Sequence, residues 1–129
     1  MDGAAKLAIY PEQNLTEKIL KAAFAVHNTP GCGFLEKVYS NALVVEIRAL
    51  RLTCEHEVSF KVKYKNIEVG DYFADLIVEK RVVVELKACA GLESAHEAQI
   101  LNYLKASSIK VGLLLNFGRP KLEYRRFIR

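Results

Sequence analysis

The chain has no tryptophan, only three cysteines, and no apolar run near the roughly 20 residues that a membrane-spanning helix needs. Each absence excludes something. Cys32, Cys54 and Cys89 are odd in number and without C-x-x-C spacing, so they describe no disulfide framework and fit a reducing cytoplasm. The first residues lack a basic start followed by an apolar stretch, so no secretory signal is expected. The absence of G-x-x-x-x-G-K-S/T removes a P-loop, and the absence of G-x-S-x-G removes a serine hydrolase of that type. Cys54-x-His56, and His27 with Cys32, supply no four-ligand set at zinc spacing. With no tryptophan, base stacking would fall to Tyr or Phe, and nothing singles one out. No linker and no internal repeat divides the 129 residues, so one domain is expected over 1–129.

What is present is an ordinary globular balance, 51% apolar and 26% charged, which excludes disorder and low complexity. The net charge of +4 permits a polyanionic partner without demanding one. Residues 1–11 read as a loose lead-in. From Asn14, a plausible N-cap, the positions Leu15, Ile19, Ala22/Ala23 and Val26 make one helical face. Thr29-Pro30-Gly31-Cys32-Gly33 breaks it. A second helix carries Leu35, Val38/Tyr39, Ala42/Leu43 and Ile47/Leu50. The period then changes to two. Val58 to Lys65 alternates apolar and polar residues as a half-buried strand, and Lys65-Asn66 turns the chain. Residues 67–79 and 81–88 read as more central strands. Ser94-x-x-Glu97 is a capping-box pattern opening a helix to Ser107. Val111–Leu115 and a segment with Leu122, Tyr124 and Phe127-Ile128 complete the order α-α-β-β-β-α-β-β, a mixed sheet with helices packed on it.

The informative feature is charge inside the most apolar strands. Asp75 interrupts Tyr72–Val78, and Glu85 and Lys87 interrupt Val82–Ala88. A three-residue turn over Glu79-Lys80-Arg81 pairs Val78 with Val82 and, three steps further along each strand, Asp75 with Glu85. Residues so paired share a face, with Cβ atoms about 4.5–5.5 Å apart, and Lys87 points the same way. Two such carboxylates repel unless a hard divalent cation sits between them. A two-residue turn would instead put them on opposite faces. Taken alone, the hairpin also fits an ordinary ion pair with Lys87 or Arg81. Glu36 lies early in the second helix, three residues before Tyr39, and Gln99 and Tyr103 share a helical face. Singly, each reads as an ordinary helix residue. His96 reads as a capping or core-edge histidine. Lys61 and Lys63 on one strand, and Arg119, Lys121 and Arg125 near the end, could contact phosphates or simply form solvated faces.

Together these residues resemble a known pattern. Gly33-Phe34-Leu35-Glu36-Lys37-Val38-Tyr39 is similar to the signature of the GxxExxY protein family, a branch of the PD-(D/E)XK nuclease superfamily. The resemblance runs from Leu15 to Ile128 and includes Ala74-Asp75-Leu76, Val84-Glu85-Leu86-Lys87, His96–Leu104 and Gly112–Gly118. Pro30 and Cys32 depart from the relatives' usual loop and leave the site positions intact. The resemblance implies a restriction-endonuclease-like α/β core and one or two Mg²⁺ or Mn²⁺ ions held by Glu36, Asp75, Glu85 and the carbonyl of Leu86. It implies that Lys87 assists the attacking water, and it matches Gln99 and Tyr103 to the Q-x-x-x-Y element of the RecB-like branch. The implied function is metal-dependent hydrolysis of phosphodiester bonds, in DNA ahead of RNA, in the cytoplasm and away from membranes. A homodimer or larger complex stays open. The alternative is a non-catalytic nucleic-acid-binding module or accessory subunit that keeps the fold.

Overall fold

The computed structural model describes residues 10–129. The expected lead-in therefore lies, but for Tyr10 and Pro11, outside the described residues. The elements are α1 (Gln13–Asn28), α2 (Glu36–Ala49), β1 (Cys54–Tyr64), β2 (Ile67–Val78), β3 (Val82–Lys87), α3 (Ser94–Ser107), β4 (Val111–Asn116) and β5 (Glu123–Ile128), in the expected order. The sheet runs β1-β2-β3-β4-β5, with β3 and β4 parallel and every other neighbouring pair antiparallel. β2 and β3 are interior, as their apolar residues on both faces require.

Helices cover both faces of the sheet. Leu15, Ile19, Ala23 and Val26 of α1 and Tyr39, Leu43 and Ile47 of α2 pack on Leu76, Val78, Val82, Val84 and Leu86. Ile100, Tyr103 and Leu104 of α3 pack on Ala74, Ile77, Val83 and Leu114 on the other face. No helix among the described residues is long and apolar enough to cross a membrane.

Three local expectations need correcting. Helix α1 starts one residue before Asn14, with Glu12 as its N-cap in the left-handed region at φ 58°. Helix α3 is capped at Glu93 rather than Ser94, and its N3 residue is His96, whose Nδ1 accepts the Glu93 N–H at 3.0 Å. An imidazole does here what Glu or Gln does in the usual capping box. Strand β1 begins at Cys54 rather than Val58 because Cys54–His56 pair with Leu76–Val78.

The β1–β2 hairpin also changes face part-way along. Cys54, Leu76 and Val78 pack in the α1/α2 core, whereas Val58, Phe60, Tyr72 and Ala74 pack against the α3 side. All are even-numbered, so strict alternation would put them on one face. The break falls at Glu57, held at φ 53°, and at Asp75, which the register sets directly opposite. Both strands turn over at the level where the acidic residue sits.

Candidate active site

The turn after β2 has Glu79 and Lys80 both at positive φ, and Val78 pairs with Val82, Ile77 with Val83 and Leu76 with Val84. The register is the one that brings Asp75 to Glu85. The backbone ladder stops there and side chains replace it. Asp75 Oδ2 accepts the Leu86 N–H at 2.7 Å, and Glu85 Oε1 accepts the Asp75 N–H at 3.3 Å. The Leu86 N–H thus faces β2, and in an extended strand the carbonyl of the same residue faces the same edge.

Glu85 is only 2% exposed. Burial, and then the neighbouring Asp75 carboxylate, push its carboxyl up to about 9, with Lys87 offsetting part of the rise. Two residues on, Lys87 Nζ donates to Gln99 Oε1 at 3.1 Å, so α3 aims the ammonium. One turn further along α3, the Tyr103 O–H donates to the Val58 carbonyl at 3.4 Å, and burial and Glu85 raise its pKa. Tyr103 ties α3 to the hairpin; it does not project into open space, being 2% exposed.

Glu36 reaches the same place from the other face of the sheet. It lies in the first turn of α2, where the helix dipole favours an acid. Its carboxyl is raised by partial burial and then by Asp75, and lowered in part by Lys87 and His96. Glu36, Lys37, Ser40, His56, Glu57 and Asp75 line one open hollow of about 230 Å³. Ser40 Oγ and His56 Nε2 are hydrogen-bonded across it at 3.0 Å.

Tyr39 fixes the loop before Glu36. Its O–H donates to the Gly31 carbonyl at 2.5 Å and accepts the Phe34 N–H at 3.1 Å. Gly33 in that loop has φ 107°, a conformation that L side chains rarely adopt. The spacing G-x-x-E-x-x-Y thus has a local cause: glycine makes the turn, glutamate opens the helix, and tyrosine one turn later clamps the loop.

The donor set suits a hard cation. Asp75, Glu85 and Glu36 offer carboxylate oxygens, and burial together with the Asp75 carboxylate disfavours the charged form of Glu85, a cost that a bound cation would relieve. Among the described residues no three acidic, His or Cys side chains already converge to hold an ion. One oxygen of Asp75 is committed to Leu86.

A family model of the PD-(D/E)XK nuclease superfamily matches residues 13–127. The chain belongs to that superfamily. PD-(D/E)XK proteins are usually nucleases, which gives this chain a nuclease-type function in general terms. The crystal structure of SSO0001 resembles this PD-(D/E)XK chain in fold, with a TM-score of 0.50 and 15% identity over 92% of this chain and 79% of that one. No curated protein matches.

The basic residues lie around this end of the sheet. Beyond Asp75 the β1–β2 hairpin runs on with Lys61 opposite Asp71 and Lys63 opposite Glu68. Lys61 is paired with Asp71 at 2.8 Å, while Lys63 is exposed. Arg119 and Lys121 are exposed in the turn after β4. Arg125 is bound to Glu97 of α3 and lies 3.7 Å from Glu123. Sequence reasoning missed Ser40, Glu57 and Asn116. Only Asn116 carried a signal, a polar residue ending the apolar run Val111–Leu115.

Proposed function

We propose that this PD-(D/E)XK chain is a metal-dependent nuclease that hydrolyses phosphodiester bonds, in DNA ahead of RNA, as one domain over 1–129. The single observation that carries this reading is the Asp75–Glu85 pair, with Glu85 buried, Asp75 half-buried and Lys87 held beside them by Gln99. A non-catalytic descendant has no need of mutually repelling carboxylates. The GxxExxY spacing and the Q-x-x-x-Y pair favour the GxxExxY family within the RecB-like branch.

Glu36, Asp75, Glu85 and the Leu86 carbonyl would hold Mg²⁺ or Mn²⁺, which when bound polarises a phosphate and makes water a stronger nucleophile. Lys87 carries the compact positive charge that offsets charge building on the phosphoryl oxygens. Gln99 keeps that ammonium aimed, and Tyr103 keeps α3 seated on the hairpin. Lys63, Arg119 and Lys121 offer exposed charge to the phosphates on either side, with Lys61 and Arg125 joining by exchanging their present partners. The free cysteines support the cytoplasm as the setting.

The test is a panel of labelled single- and double-stranded DNA and RNA incubated with Mg²⁺ and with Mn²⁺. Cleavage of at least one member, absent with EDTA and faster on DNA, is the expected result. Binding without cleavage would favour the accessory-module alternative.

A further inference from the structure

Strand β4 ends at Asn116, level with Lys87 of β3, and the chain runs on through Phe117-Gly118. Asn116 is wholly buried, yet each polar atom of its amide is used. Its Oδ1 accepts the N–H groups of Cys89 and Gly118, each at 3.0 Å. Its Nδ2 donates to the Cys89 carbonyl at 3.0 Å and to Glu123 Oε1 at 3.1 Å. The same Glu123 oxygen accepts the Leu92 N–H at 3.2 Å. One amide and one carboxylate therefore pin the segment from Ala88 to Leu92, the connection between Lys87 and the helix that carries Gln99.

The neighbours of Asn116 tighten this connection. The Phe117 N–H donates to the Lys87 carbonyl at 2.8 Å. Gly118 is so close to the segment that a Cβ there would stand 2.4 Å from both the nitrogen and the oxygen of Cys89. On its other side the Phe117 ring stacks on Tyr39, with centroids 4.8 Å apart and planes 15° off parallel. Tyr39 is the clamp on the loop before Glu36. Three consecutive residues thus touch the supports of both halves of the site.

We propose that Asn116-Phe117-Gly118 is a bracket that sets the two halves of the site against each other. Asn116 is a positioning residue for Lys87, and Phe117, acting through Tyr39, is one for Glu36. The proposal rests on the nuclease reading above. A fully satisfied buried amide is a costly way to end a strand that an exposed turn residue would end as well. Its geometry makes sense if the lysine two residues past Glu85 must be fixed to a fraction of an ångström.

The experiment compares full-length wild type with Asn116→Ala and with Phe117→Leu. It reads amide hydrogen exchange together with kcat and KM on the best substrate of the panel. In Asn116→Ala the Cys89 and Gly118 amides should exchange at least about tenfold faster, with Val83 and Leu114 unchanged. Its kcat should fall at least about tenfold, with KM within about threefold. Phe117→Leu keeps an apolar side chain without the stack and should weaken Mn²⁺ binding at least about threefold.

Wild-type kcat in Asn116→Ala despite faster loop exchange would overturn the positioning role and leave the nuclease reading intact. Equal acceleration at Val83 and Leu114 would overturn it too, since the loss would then be general destabilisation. Unchanged Mn²⁺ affinity in Phe117→Leu would overturn the Glu36 half. A wild type that cleaves no member of the panel would overturn the nuclease reading, and both positioning roles with it.

Discussion

Without added metal, Glu85→Gln should melt about 15 °C above the wild type at pH 8 and no more than about 3 °C above it at pH 5. Folding raises the Glu85 pKa to about 9, so the fold disfavours the ionised form. A group raised in this way contributes stability that is complete below the ordinary carboxylate value and is lost as pH climbs toward 9. At pH 8 the wild type carries a penalty on the order of 5 kcal/mol, which the neutral amide does not. Gln can still accept the Asp75 N–H and can donate to the Asp75 carboxylate. Saturating Mn²⁺ should raise the wild type toward the variant, because a ligand that binds only the folded state stabilises it. Thermal melts at the two pH values, with and without Mn²⁺, check this. A variant that melts lower than the wild type at pH 8 would mean that Glu85 serves as a structural ion-pair partner of Lys87.

Lys87→Ala should lose at least about 100-fold in turnover while keeping its Mn²⁺ affinity or gaining slightly. An ammonium cannot coordinate a cation, so its loss removes a repelling neighbour from the metal ligands. The positive charge opposite the phosphoryl oxygens is lost with it. Lys87→Arg should recover only a part, because a planar fork cannot take the place of a compact ammonium held by Gln99. Calorimetric titration of Mn²⁺ beside a cleavage assay separates the two effects. Wild-type cleavage by Lys87→Ala would strip Lys87 of its role in turnover.

The hairpin register was legible because two rules leave little choice. Strand side chains alternate, and the spacing of Val78 and Val82 around Glu79-Lys80-Arg81 sets which residues face each other. The layer order followed from the change of period between Arg51 and Val58. The caps were not legible. Asn14 and Ser94 have the right chemistry, yet Glu12 and Glu93 hold those positions, and an imidazole at His96 supplies the return hydrogen bond. The change of face at Glu57 and Asp75 was hidden for a different reason. Apart from His56, the residues nearest it on both strands are apolar at even positions, so a twist from one helix layer to the other leaves the pattern almost unaltered. Asn116 could be seen only as the end of an apolar run, since its partner Cys89 is 27 residues away.

The central claim is that Asp75 and Glu85 form the anionic core of a divalent-cation site. Calorimetric titration of Mn²⁺ into the wild type and into Asp75→Ala at pH 7.5 tests it most directly. The wild type should bind with release of protons, as Glu85 gives up the proton that burial makes it hold, and Asp75→Ala should weaken binding at least about tenfold. Binding of equal strength in the two proteins, or none in the wild type, would contradict the claim.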